Sequence, residues 1–308
     1  MDIKKQRTLK LTFFSVLMVL TALCTIQNVK ASETSEGVID KLANGVAGEN
    51  MIQDSYGTVS LEQARTWISQ HPEIDRILKN KRTSRMPYDL VKKTVSSDQL
   101  PFLYRLLDDK EYASNYYEIA SVISYISDDP NSVPVLVKYF QRNDGVQLNT
   151  TVKIENLSYI GMIGVKEADS VLRKAITEEG ARELIKGWTK GLSPVETRFV
   201  NSKVIMDIQS AAVNGLVFTG KAENWKIVED LFNQNKEIAI KKGDTNSFMN
   251  QLGIAMGTRD FIIDNNNDVE AYFRIMHDGY QTRDSMTSYY KKYLDFANEM
   301  PFMRRGIM

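Results

Sequence analysis

The imidazoles of this 308-residue chain are His71 and His277, and neither stands where imidazole chemistry is done. His71 precedes Pro72 at a predicted helix end, so closing the last turn is its expected role. His277 is followed by Asp278, but adjacent residues on a helix point apart, and no second histidine lies at ligand spacing. No HExxH, GxSxG, GxGxxG or phosphate-loop spacing occurs. The run Asp264-Asn265-Asn266-Asn267-Asp268-Val269-Glu270 places oxygens at alternate positions, as a calcium loop does. Val269 stands where that loop needs glycine, however, and Ile275 where it needs a bidentate carboxylate. The expectation is a turn closing on a capping box from Asn267 to Glu270. Asp108-Asp109, Asp128-Asp129 and Glu178-Glu179 fall at predicted turns, where carboxylates cap helices or face water rather than act as acids and bases. No metal and no cofactor is expected.

Trp188 sits among Gly180, Gly187 and Gly191 in a segment, Thr177 to Leu192, that interrupts the helical pattern. It reads either as a mobile substrate-contacting tip or as a surface elaboration between helices. Tyr112, Tyr116, Tyr117, Tyr125 and Tyr159 fall on or beside two successive helices. Tyrosine brings a large contact area and one polar tip, which suits an interface as well as a core.

The elements that must carry these residues begin after a leader. Lys4, Lys5, Arg7 and Lys10 precede an apolar run from Leu11 to Ile26, then Val29-Lys30-Ala31. That is the pattern of a signal peptide cleaved after Ala31, with an uncleaved N-terminal anchor as the alternative. The one cysteine, Cys24, lies inside the run, and Leu23 before it is too bulky for lipid attachment, so a mature chain has no thiol chemistry. Cleavage leaves 34 Lys+Arg against 38 Asp+Glu, since residues 1–31 hold five basic residues and one acidic. A slightly acidic chain without a basic cluster is poorly suited to nucleic acid. No later apolar run approaches membrane-spanning length.

Residues 32–96 read as a polar segment followed by helices. Ser60 and Gln63 form a capping box ahead of a helix over Leu61–Gln70 that places Leu61, Ala64, Trp67 and Ile68 on one face. Further helices are expected from Pro72 and after Pro87. From 97 to 276 one phrase recurs. Leu100-Pro101-Phe102-Leu103, Val133-Pro134-Val135-Leu136, Asp169-Ser170-Val171-Leu172 and Trp225-Lys226-Ile227-Val228 each open an apolar helix. These predict helices over Leu100–Leu107, Val133–Phe140, Ala168–Ile176 and Trp225–Phe232. A second helix with apolar spacing alternates with them, one ending at Gly164 and another running from Ser193-Pro194-Val195-Glu196 to Gly220. Residues 277–308 are expected to cap the end of the stack.

Two stretches, Tyr159-Ile160-Gly161-Met162-Ile163-Gly164-Val165-Lys166-Glu167-Ala168-Asp169-Ser170-Val171-Leu172 and Tyr125-Ile126-Ser127-Asp128-Asp129-Pro130-Asn131-Ser132-Val133-Pro134-Val135-Leu136, resemble the unit of HEAT-type repeats. The likeness covers a little over half the chain. It implies an all-α, irregular solenoid of helix pairs with non-repeat flanks. It further implies that the second helices line a concave face, where Tyr116, Tyr117, Glu118, Lys153, Glu155, Asn156 and Tyr159 would form a binding stripe, with Trp188 as an additional contact. The function expected is an exported, non-catalytic scaffold that binds another protein or an envelope polymer. The alternative is an exported hydrolase using carboxylates near 177–192.

Overall fold

The structure is a computed structural model that describes residues 59–79, 87–142, 146–188, 193, 197, 203–242, 247–278 and 283–295. The expected leader with its expected cleavage after Ala31, residues 32–58 and the helix start expected at Pro194–Glu196 lie outside the described residues. Those described form fourteen α-helices with short 3-10 and π turns, and no strand is found among them.

Helix α1 (Leu61–Gln70) starts where its capping box requires. Gln63 N–H donates to Ser60 Oγ at 3.1 Å, and Ser60 N–H donates to Gln63 Oε1 at 2.7 Å. Ala64, Trp67 and Ile68 are buried, whereas Leu61, expected on the same face, lies at the helix tip and is exposed. His71 closes the helix, its Nδ1 bonded to Trp67 O at 2.7 Å. Helices α2 (Pro72–Lys79) and α3 (Tyr88–Thr94) follow. Helix α4 (Leu100–Leu107) carries proline in its first turn, where no backbone partner is lost.

Helices α5 (Tyr116–Ile126) and α6 (Ser132–Gln141) come next, then α7 (Val146–Tyr159), which tightens into a 3-10 turn, Ile160–Ile163. Gly164 ends it at φ +71°, a left-handed position that a Cβ would strain. The rest of the chain forms α8 (Lys166–Ala175), α9 (Glu178–Leu184), α10 (Ile205–Phe218), α11 (Ala222–Lys242), α12 (Ser247–Asp264), α13 (Val269–Phe273) and α14 (Arg283–Leu294). The phrase beginning at Trp225 thus lies inside a helix that starts at Ala222 and is far longer than the eight residues expected. After Phe232 come Asn, Gln, Lys, Glu and Ala, with no glycine or proline before Gly243 to stop it.

Helices α5, α7, α10, α12 and α14 pack each on the next in chain order, while α4, α8 and α11 pack against members of that row. At the crossing of α7 and α10 the backbones nearly touch. A Cβ on Gly161 would lie 2.0 Å from Gly215 O, so only glycine fits.

One segment departs from nearest-neighbour order. Phe273, wholly buried at the end of α13, has ring contacts with Tyr88 of α3, Tyr125 of α5, Tyr159 of α7 and Phe218 of α10, at centroid distances of 4.8 to 5.8 Å. Edge-on and tilted aromatic pairs at such distances are favourable beyond their area burial. The capping residue of α13 is Asp268, which accepts from Ala271 N–H at 3.1 Å, not Asn267 as expected. Asn266 and Asn267 are both left-handed, at φ 60° and 61°, so the chain first reaches extended cap geometry at Asp268.

Candidate functional site

The residues expected to form a binding stripe do come together, but most of them lie inside the protein. Helix α5 supplies Tyr116 and Tyr117, and α7 supplies Lys153, Glu155, Asn156 and Tyr159. Tyr117 Oη donates to Glu155 Oε2 at 3.3 Å, and Tyr159 Oη donates to Glu155 Oε1 at 2.7 Å, so one carboxylate is held by two phenols. Asn156 Nδ2 donates to Ser121 Oγ at 2.9 Å and to Tyr117 O at 3.3 Å, while its Oδ1 accepts from Tyr139 Oη at 3.3 Å. That is a seam between helices, in which Tyr117, Tyr139, Tyr159 and Asn156 spend their polar atoms on neighbouring side chains rather than on solvent.

Its cationic end is equally internal. Lys153, 3% exposed, donates to Arg142 O and lies 5.0 Å from the Tyr139 ring and 5.5 Å from that of Trp188. The Arg142 guanidinium stacks 4.5 Å from the Tyr116 ring, and its Nη1 donates to Leu107 O and Asp108 Oδ1. Arg142 and Tyr139 carry as much of this arrangement as the expected residues. Their sequence signal was weak, since both sit at the end of a helix that periodicity marks only as core.

Trp188 corrects the expectation of a mobile tip. It is 2% exposed, its indole N–H donates to Phe140 O at 2.7 Å, and its ring packs on Phe140 at 5.0 Å. Thr177, where the supposed insertion begins, caps α9 by accepting from Gly180 N–H at 3.0 Å. A continuous solvent-facing stripe is not formed either, because Tyr116, Lys153, Asn156 and Tyr159 are all buried. The cause is tertiary. The row of helices has neighbours on both sides, and Phe273 covers Tyr159 and Tyr125. Tyr117, Glu118 and Glu155 are half-buried and form the remaining edge. Burial beside Glu155 pushes the Tyr117 phenol well above its ordinary range, so it stays a protonated donor at any physiological pH.

The carboxylates of the calcium-like run are taken up by other side chains and a helix start, with Arg274 pairing to both Asp268, at 3.2 Å, and Glu270. Asp264 accepts from Tyr289 Oη at 2.9 Å, Asp268 caps α13, and Glu270 pairs with Arg274 at 2.6 Å and Lys92 at 3.3 Å. Among the described residues no group of three or more His, Cys, Asp or Glu could hold a metal ion. An open groove of about 470 Å3 runs between α12 and α14, lined by Asp260, Ile263, Asp264, Ser288, Tyr289 and Lys292. Its charged groups are mutually engaged: Asp260 accepts from Lys292 at 2.6 Å and from Tyr293 at 2.5 Å. No described helix is long and apolar enough to cross a membrane. Neither a protein-family model, nor a curated protein, nor a solved structure matches this chain, so its site stands on its own geometry.

Proposed function

We propose that this protein is an exported, non-catalytic helical scaffold that binds another protein at the Tyr117–Glu118–Glu155 edge of its helix row. The observation that carries this is the Glu155 carboxylate fixed between Tyr117 and Tyr159. A partner meeting that edge finds an acidic group already oriented, and no side-chain freedom is lost in presenting it. Two glutamates beside a phenol suit a partner surface carrying lysine or arginine. The alternating packing of α4, α8 and α11 against a row of successive helices supports a HEAT-like solenoid as the framework. The leader supports export.

Around 177–188 nothing favours a hydrolase. Trp188 is buried, Glu178 is paired with Arg182, and Glu183 is paired with Lys174. The test is crosslinking of the full chain in its native cells, with mass spectrometry of what is retained. The expected result is one dominant partner, retained by the native chain and lost with both Glu118→Lys and Glu155→Gln at unchanged melting temperature. A partner retained by both variants, or no partner at all, overturns the proposal.

A further inference from the structure

The turn Asn265–Asn267 divides the protein into a body and an arm. Everything described after it, α13, the π turn Arg274–Asp278 and α14, docks on elements that precede it. Phe273 enters a nest of Tyr88, Tyr125, Tyr159 and Phe218, Tyr272 packs on Phe261, and α14 lies along α12. The docking has the anatomy of an interface: one fully buried aromatic anchor, with exposed ion pairs of Arg274 to Asp89 and Glu270 to Lys92 at the rim. The turn itself holds two consecutive non-glycine residues in the left-handed region, Asn266 and Asn267, a conformation that costs free energy and is released if the turn straightens.

We propose that the arm formed by α13, the π turn and α14 exchanges between two copies of this chain, giving a closed, two-fold dimer. The occupant is fixed by complementarity: the nest is shaped around this arm, so a second copy's arm makes the same contacts. Opening the turn to extended backbone relieves the strain at Asn266 and Asn267. Short strained hinges favour such exchange, and the symmetry closes without leaving a free nest or arm.

The experiment mixes 15N-labelled and unlabelled full-length chains, partially unfolds and refolds them at high concentration, and separates species by size with light scattering. A zero-length carbodiimide then joins Lys92 to Glu270, which lie 3.3 Å apart. Expected is a dimer that persists on dilution, with the Lys92–Glu270 crosslink joining labelled to unlabelled peptides. Asn266→Gly with Asn267→Gly, which removes the strain in the closed turn, lowers the dimer constant about tenfold. A chain that stays monomeric at every concentration overturns the proposal. So does a dimer whose Lys92–Glu270 crosslinks are all within one chain, or one unmoved by the glycine pair.

Discussion

Gly161 and Gly215 set the distance between two helices, and Gly161 cannot be replaced cheaply. A Cβ on Gly161 meets backbone oxygen, which no rotamer change can move aside. Gly161→Ala should cost about 1–3 kcal/mol by overpacking, read as a lower denaturation midpoint at unchanged m-value. Gly164→Ala has open space and pays only for its left-handed φ, about 1 kcal/mol. Asp109 gives a second test. It is 1% exposed and accepts from Arg65 Nε at 2.6 Å and Nη2 at 2.7 Å, and from Glu111 N–H at 3.0 Å. The Arg65 hydrogen bonds hold its carboxyl below the ordinary range. A depressed folded pKa stabilises the protein above the unfolded value of about 4, and the gain disappears as pH falls through the folded one. Asp109→Asn should therefore lower the melting temperature at pH 7, with the gap to the native chain closing on acidification below pH 4. A gap constant down to pH 2 would contradict this. Single residues were legible in the sequence where their partner is local, as His71 and Gly164 are. Trp188 was not, because its partner Phe140 lies 48 residues away and its glycine-rich surroundings signal only a loop.

At the scale of elements, starts were more legible than ends or faces. The Ser60–Gln63 box and Pro101 mark α1 and α4 because those signals act within one turn. The length of α11 and the burial of both sides of α5 depend on neighbours that no local pattern names. Helix α14 packs along α12, the member of the row before it. It fits because Gly253 and Gly257 of α12 leave room: a Cβ on Gly257 would lie 2.8 Å from the Tyr290 ring and 2.9 Å from the Tyr289 backbone. Gly257→Val should therefore loosen α14 without unfolding α4 to α10. Hydrogen exchange of Arg283–Leu294 should rise at least tenfold while amides of α5 and α10 keep their protection. Uniform loss of protection would mean that α14 is integral to the whole core. Asp260 adds a pH dependence to this docking. Burial pushes its carboxyl up, but hydrogen bonds from Lys292, Tyr293 and Arg259 outweigh that and hold it below the ordinary range. The contact is complete at neutral pH and weakens as acid protonates Asp260.

Over the whole molecule, Phe273 decides whether the helices behave as a linear array. In an open repeat stack each unit touches only its neighbours, so the two ends can unfold separately. Here one ring joins α3, α5, α7 and α10, and beside it Arg274 reaches Asp89 across 185 residues of sequence. Those contacts give the array a closure that its repeat phrase does not imply. The native chain should melt in one transition by both far-UV and near-UV circular dichroism. Phe273→Ala should cost about 3–5 kcal/mol, the range for emptying a buried aromatic site. Because the lost contacts are the long-range ones, the remaining stability should no longer be shared. Two transitions are then expected, with Trp67 of α1 and Trp225 of α11 reporting different midpoints in chains that keep one of them, the other two tryptophans replaced by Phe. If both still report one midpoint, nearest-neighbour packing along the row is enough for cooperativity, and the Phe273 nest adds stability without coupling the ends.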